Sequence, residues 1–116
     1  MLKIEYKNDK VQKLCENIDY AKFCLPRDAA EALRKLMPIL IASENLAFFM
    51  KPDNRGYHLE KLKGKRQFEM SLRIKKGENT GCGYRMIFEC TNTSIKDDYK
   101  NMTAIRILEI TNHNYN

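Results

Sequence analysis

The sequence predicts an α+β fold, with helices gathered in the first half of the chain and strands in the second. Three patterns carry this. An apolar stripe at helical spacing runs from Ala29 to Leu40, and a strict two-residue alternation runs from Gln67 to Ile74. A single alternating segment, Leu2 to Lys7, precedes both. The 116 residues suit one domain, residues 1–116. A chain of this size hides roughly 70% of its unfolded surface on folding, enough for a core without staples.

Leu2, Ile4 and Tyr6 alternate with Lys3, Glu5 and Lys7, which predicts an opening strand. Asn8 and Asp9 offer N-caps for a short helix with Val11, Leu14 and Cys15 on one face. Pro26 suits the first turn of a longer helix, whose N-terminal dipole Asp28 and Glu31 complement. Ala29, Ala32, Leu33, Leu36, Met37 and Leu40 form its buried stripe. Pro38 lacks an amide donor and crowds the carbonyl four residues back, so a kink or a new helical start is expected there. Ser43 is the expected cap of a final turn from Asn45 to Phe49, and Lys51 to Gly56 reads as a loop.

Tyr57-His58-Leu59 begins a strand that ends near Leu62 to Arg66. In the next, Phe68, Met70, Leu72 and Ile74 point inward, against Gln67, Glu69, Ser71 and Arg73 outward. Lys76 to Gly81 is turn chemistry. Tyr84, Met86 and Phe88 then alternate with Arg85, Ile87 and Glu89, and a polar stretch from Asn92 to Asn101 leads to a last strand, Ile105 to Ile110. The expected architecture is an N-terminal strand, two or three helices, then an antiparallel strand run forming a twisted sheet with helices on one face.

Composition excludes several classes. Apolar residues at 43% and charged residues at 31% describe a soluble globular chain. No apolar run approaches the ~18 residues of a membrane span. Met1 to Lys7 lacks the apolar core and cleavage site of a signal peptide, so a cytoplasmic address and no membrane partner are expected. Cys15, Cys24, Cys82 and Cys90 contain no C-x-x-C pair, which favours reduced thiols over a metal site or redox motif. No Gly-rich phosphate loop or Ser/His/Asp set appears, so neither a metal nor a cofactor is expected.

The net charge is +6, and its distribution is uneven. Between Met50 and Lys76 nine cations meet three anions, which accounts for the whole excess. A cationic surface of this kind concentrates polyanions, nucleic acids foremost. The plainer reading is a lysine-rich hairpin that only faces water.

Four segments in order carry a family resemblance: Leu62-Lys63-Gly64-x-Arg66, Ser71-Leu72-Arg73, Tyr84-Arg85-Met86-Ile87-Phe88-Glu89 and Leu108-Glu109-Ile110. With them the chain resembles toxins of the RelE/ParE superfamily, in particular the HigB-like "plasmid maintenance killer" branch. Ile4-Glu5-Tyr6, Lys10-x-x-Lys13-Leu14-Cys15 and Asn45-Leu46-Ala47 fit that branch too, so the resemblance spans nearly the whole chain. It implies a RelE-like fold and a bacterial type II toxin neutralised by a cognate antitoxin, often one with a helix-turn-helix domain. It further implies entry into the ribosomal A site and cleavage of mRNA. There are departures. Glu60 stands where the family often has a histidine, with His58 two positions earlier. Asn112-His113-Asn114 stands where the family commonly ends in Asp-Tyr-His, and an extended loop, Lys75 to Cys82, separates the two arginine strands. The proton donor and acceptor are therefore left open.

Cutting RNA without a metal needs a base for the 2′-hydroxyl, cations for the phosphorane and an acid for the departing 5′-oxygen. Arg73 belongs to the outward set of its strand, and Arg85 could share that face on the neighbouring one, two forked donors over one surface. Lys63 is a third catalytic candidate, as a cation or as a base with a depressed pKa. His113 is the fourth, able to titrate or to stack. Lys61, Lys63, Lys65, Arg66, His58, Asn112 and Asn114 are candidates for binding RNA or the ribosome. The competing structural roles are an ion pair of Arg73 with Glu69 or Glu89, a strand position for His58, a fraying tail for His113, and ion pairing on the sheet for Arg106. Three function classes follow: a ribosome-dependent endoribonuclease, a ParE-like inhibitor of DNA gyrase on the same fold, and an inactive RNA-binding relative. The basic block and the paired arginines favour the first.

Overall fold

The computed structural model describes residues 1–77 and 83–112. The chain opens with strand β1 (Lys3–Tyr6) and helices α1 (Asp9–Glu16), α2 (Ile18–Cys24) and α3 (Arg27–Ala42). Two 3-10 helices, Leu46–Met50 and Pro52–Tyr57, lead to strands β2 (Glu60–Lys61), β3 (Met70–Arg73), β4 (Arg85–Cys90) and β5 (Ala104–Thr111). The side chain of Asn8 caps α1 by accepting the Val11 amide at 3.0 Å. Asn17 does the same for α2, accepting the amides of Asp19 and Tyr20 at 3.1 Å. Periodicity alone did not separate α2, because seven residues present too little of a stripe.

Four local expectations are corrected. Pro38 lies inside α3 without starting a new helix, because Leu36 and Met37 before it and Leu40 after it are all buried. Each such side chain contributes about 1.5–3 kcal/mol, enough to offset one lost amide bond. Ser43 ends α3, its hydroxyl donating to the Leu40 carbonyl at 2.6 Å, while Asn45 caps the next turn through the Ala47 amide. Lys51 to Gly56 is largely a 3-10 turn, which seats Tyr57 edge-on against Phe49 at 5.5 Å between ring centres. Phe68 is not inward but 65% exposed: the chain turns at Gln67 and Phe68, so the inward alternation begins only at Met70.

The sheet order is β1-β5-β4-β3-β2. The last four strands are antiparallel neighbours, as expected, and β1 adds to β5 in parallel. Met70, Leu72, Met86, Phe88, Ile105 and Ile107 point to one side and join Val11, Cys15, Leu33, Leu36 and Leu40 in the core, which places the helices on that face. A bulge interrupts the β4–β5 pairing. Ile87 pairs with Glu109 and Phe88 with Ile107, so Leu108 is the extra residue. Simple alternation from Ile105 and Ile107 would send Glu109 into the core; the bulge turns it to the opposite face.

Burial, with Glu16 nearby, pushes the Cys15 thiol up to about 12. Cys15, Cys24 and Cys90 are free thiols, and Cys82 lies outside the described residues. Among the described residues, no helix is long and apolar enough to cross a membrane.

Candidate active site

The face of the sheet turned away from the helices carries the polar residues. Arg73 and Arg85 are direct partners across β3 and β4, so their side chains leave on the same side, as their sequence positions suggested. Like charges placed opposite each other are unfavourable unless something anionic lies between them. Glu60 of β2 partly meets that need. Its carboxylate accepts from the Arg85 guanidinium at 2.7 Å, and the same nitrogen donates to the Ser71 hydroxyl at 3.3 Å. Arg73 instead donates to the Gly77 carbonyl at 3.0 Å, and among the described residues it meets no carboxylate. The competing structural role of Arg73, an ion pair with Glu69 or Glu89, is therefore not what forms; those acids bind Arg66 and Arg106. Among the described residues one carboxylate, Glu60 on Arg85, stands against the two guanidiniums, leaving a net positive charge on a half-buried patch.

His58 enters this site from a left-handed backbone position, φ 49°, that ends the preceding 3-10 turn. That conformation is uncommon for a residue with a Cβ. It carries the imidazole to Glu60, with Nε2 at 3.2 Å from the second carboxylate oxygen. His58, Glu60, Arg85 and Ser71 thus form one continuous polar chain, and His58 is not a strand residue. Glu60 is the residue the sequence reading missed. Its signal was present, a carboxylate two positions after the first histidine, but its contact with Arg85 depends on register across three strands.

The basic hairpin between β2 and β3 folds onto the same face. Leu62 donates its amide to the Glu69 carbonyl at 2.9 Å, which extends the strand pairing, and Gly64 makes the turn at φ 67°. Arg66 reaches Glu69 at 2.6 Å and, two strands away on β5, Glu109 at 2.9 Å. Burial works against its charge, but the two carboxylates outweigh that and raise the guanidinium's pKa. Leu62 and Ile87 are buried apart from the main core and on this side of the sheet. Arg66 therefore holds the hairpin down rather than presenting a free cation.

The remaining candidates divide. Lys63 and Lys65 are exposed on the hairpin. Lys61 pairs with Met70, so it leaves β2 on the helix side, where its ammonium sits 5.0 Å from the Tyr99 ring centre. The strand parity separates it from the arginines. Asn112 is exposed just after Thr111, which pairs with Arg85. His113 and Asn114 lie outside the described residues. Arg106 has the structural role expected, bridging Glu5 at 2.9 Å and Glu89 at 2.6 Å.

The comparison with curated proteins returns no match. The family model of HigB-like toxins, described as RelE-like toxins of the type II toxin-antitoxin system HigB, matches residues 4–102. That span takes in all but the first residue of β1, then every element through β4, and every residue of the His58–Glu60–Arg85–Ser71 chain. With that model matching most of its length, the chain belongs to the HigB-like family of RelE-like type II toxins.

Proposed function

We propose that this toxin is a ribosome-dependent mRNA endoribonuclease, cutting in the cytoplasm without a metal by attack of a ribose 2′-hydroxyl on the adjacent phosphate. Membership of the family implies an antitoxin as partner. A helix-turn-helix antitoxin, the ribosome and mRNA complete the proposed set. The observation that carries the reading is the Arg73–Arg85 cross-strand pair with a single carboxylate to balance it. Two like charges held side by side favour an anion that bridges them, and a phosphate has the geometry for two forked donors.

In the proposed step, Glu60 or its neighbour His58 accepts the 2′-hydroxyl proton, and the freed oxygen bonds to phosphorus. Arg73 and Arg85 stabilise the charge that gathers on the phosphorane oxygens. The bond from phosphorus to the 5′-oxygen breaks, that oxygen takes a proton from an acid such as His113, and a cyclic phosphate and a 5′-hydroxyl remain. Lys63 and Lys65 add to RNA attraction along the hairpin, and Asn112 and Asn114 flank the acid. The ribosome supplies alignment of the RNA, a contribution that can reach ~7–11 kcal/mol.

Induced expression followed by mapping of mRNA 5′ ends, alongside a supercoiling assay with DNA gyrase, tests this. Breaks inside translated frames, absent when ribosomes are omitted from a purified reaction, are the expected result. Gyrase inhibition without such breaks would establish the ParE-like alternative, and binding without either would establish the inactive one.

A further inference from the structure

Phe68 is a large aromatic ring left 65% exposed in the most cationic part of the chain. Its position follows from how the hairpin is tied. Glu69 donates its amide to the Arg66 carbonyl at 2.9 Å, and Gln67 donates to the Gly64 carbonyl at 3.2 Å, so the tip is a closed turn rather than a loose loop. The side of the hairpin that meets the sheet carries Leu62, Glu69 and the Arg66 guanidinium on Glu109. Lys63, Lys65, Gln67 and Phe68 are left on its solvent side. The neighbouring acid, Glu69, is already held by Arg66, so the charge around the ring is cationic.

A ring left 65% exposed buries little apolar surface in the fold, whereas unpaired bases stack on such rings irrespective of sequence. We propose that Phe68 is a stacking platform for an unpaired RNA base further along the bound RNA from the phosphate gripped by Arg73 and Arg85, which pair at the far end of β3, with Lys63 and Lys65 holding the RNA backbone beside the ring. This rests on the RNA-cleaving reading of the same face. A ring flanked by lysines fits RNA better than a protein partner, because the base meets the ring while its phosphates meet the ammonium groups.

The chain has no tryptophan, so Phe68→Trp provides a single fluorophore at this position. Affinity for bacterial ribosomes programmed with a defined mRNA, cleavage rate, affinity for the antitoxin and thermal melting would be measured for Phe68→Ala, Phe68→Leu, Phe68→Tyr and Phe68→Trp. Phe23→Ala serves as the control, since Phe23 is 88% exposed on α2, away from the basic hairpin. Phe68→Ala and Phe68→Leu should weaken binding to the programmed ribosome about 5- to 100-fold with unchanged melting. Phe68→Tyr should restore it, the fluorescence of Phe68→Trp should be quenched on binding, and Phe23→Ala should bind like the wild type. If the wild type cuts mRNA while Phe68→Ala binds as tightly and the tryptophan is not quenched, stacking is overturned and the nuclease reading stands. If the wild type does not cut while Phe68→Trp is quenched and Phe68→Ala binds more weakly, stacking stands and the nuclease is removed. Loss of antitoxin affinity alone would make Phe68 a protein contact, which also overturns the proposal.

Discussion

The two faces of the sheet are written by the same strands and obey different rules. On the helix side, Met70, Leu72, Met86, Phe88, Ile105 and Ile107 are fully buried against α1 and α3. On the other, the same four-residue and six-residue strands carry Ser71, Arg73, Arg85, Ile87 and Glu89, tied by ion pairs to Glu60 and Arg106. Alternation with period two lets a strand pack one side against the helices and keep most of its polar side chains on the other. The separation teaches where mutations should act: on the helix side through folding, on the open side through function.

The largest effect expected tests the first half of that statement. Phe88→Ala should lower unfolding free energy by about 3–5 kcal/mol in denaturant titration. That is a large part of the ~5–15 kcal/mol of a typical domain. Activity should then fall only as the folded fraction falls. Next comes its counterpart, three residue pairs along the same two strands. Arg73→Ala or Arg85→Ala should slow cleavage on ribosomes by ~10²–10³-fold, as loss of one preorganised donor does, with melting almost unchanged. Loss of folding in either arginine variant, or full activity in both, would erase the division between the faces. A smaller effect belongs to the helix layer. The Cys15 thiol rises from an ordinary 9.0 to about 12 on burial, so its folded form holds the proton more tightly than its unfolded form. The stability it adds is complete below about pH 9 and is lost as pH rises towards 12. Stability measured across that range should fall less steeply in Cys15→Ala than in the wild type. The smallest effect is that of Arg106→Ala: an exposed bridge between two surface acids should change neither melting nor cleavage measurably, despite lying on the same face as Arg85.

Local pattern made much of this legible. The cap at Asn8, the stripe of α3, the alternation of β4 and the outward side of Arg73 on its own strand all depend on residues within a few positions of one another. What escaped depends on distant pairing. The parallel contact of β1 with β5 leaves no periodic trace, and the bulge at Leu108 reads as broken alternation. Phe68 shares the alternation of a strand that has not yet begun, because turns at Gly64 and Gln67 override the period of the residues within them. Glu60 entered the site only through the left-handed turn at His58 and the pairing of β2 with β3.

The position of β5 between β1 and β4 has a consequence for the order in which the molecule comes into being. Translation releases the N-terminal part first. Yet β1 has no strand to pair with, and the β4 side of the sheet no second neighbour, until residues 104–111 have been made. Pairing between such distant segments is also slow, since the loop must close before any contact rewards it. The sheet is thus completed only once β5 has been made, however early its other strands emerge. A chain ended at Thr103 should accordingly lack a cooperative unfolding transition, and adding back the segment through Asn112 should restore it.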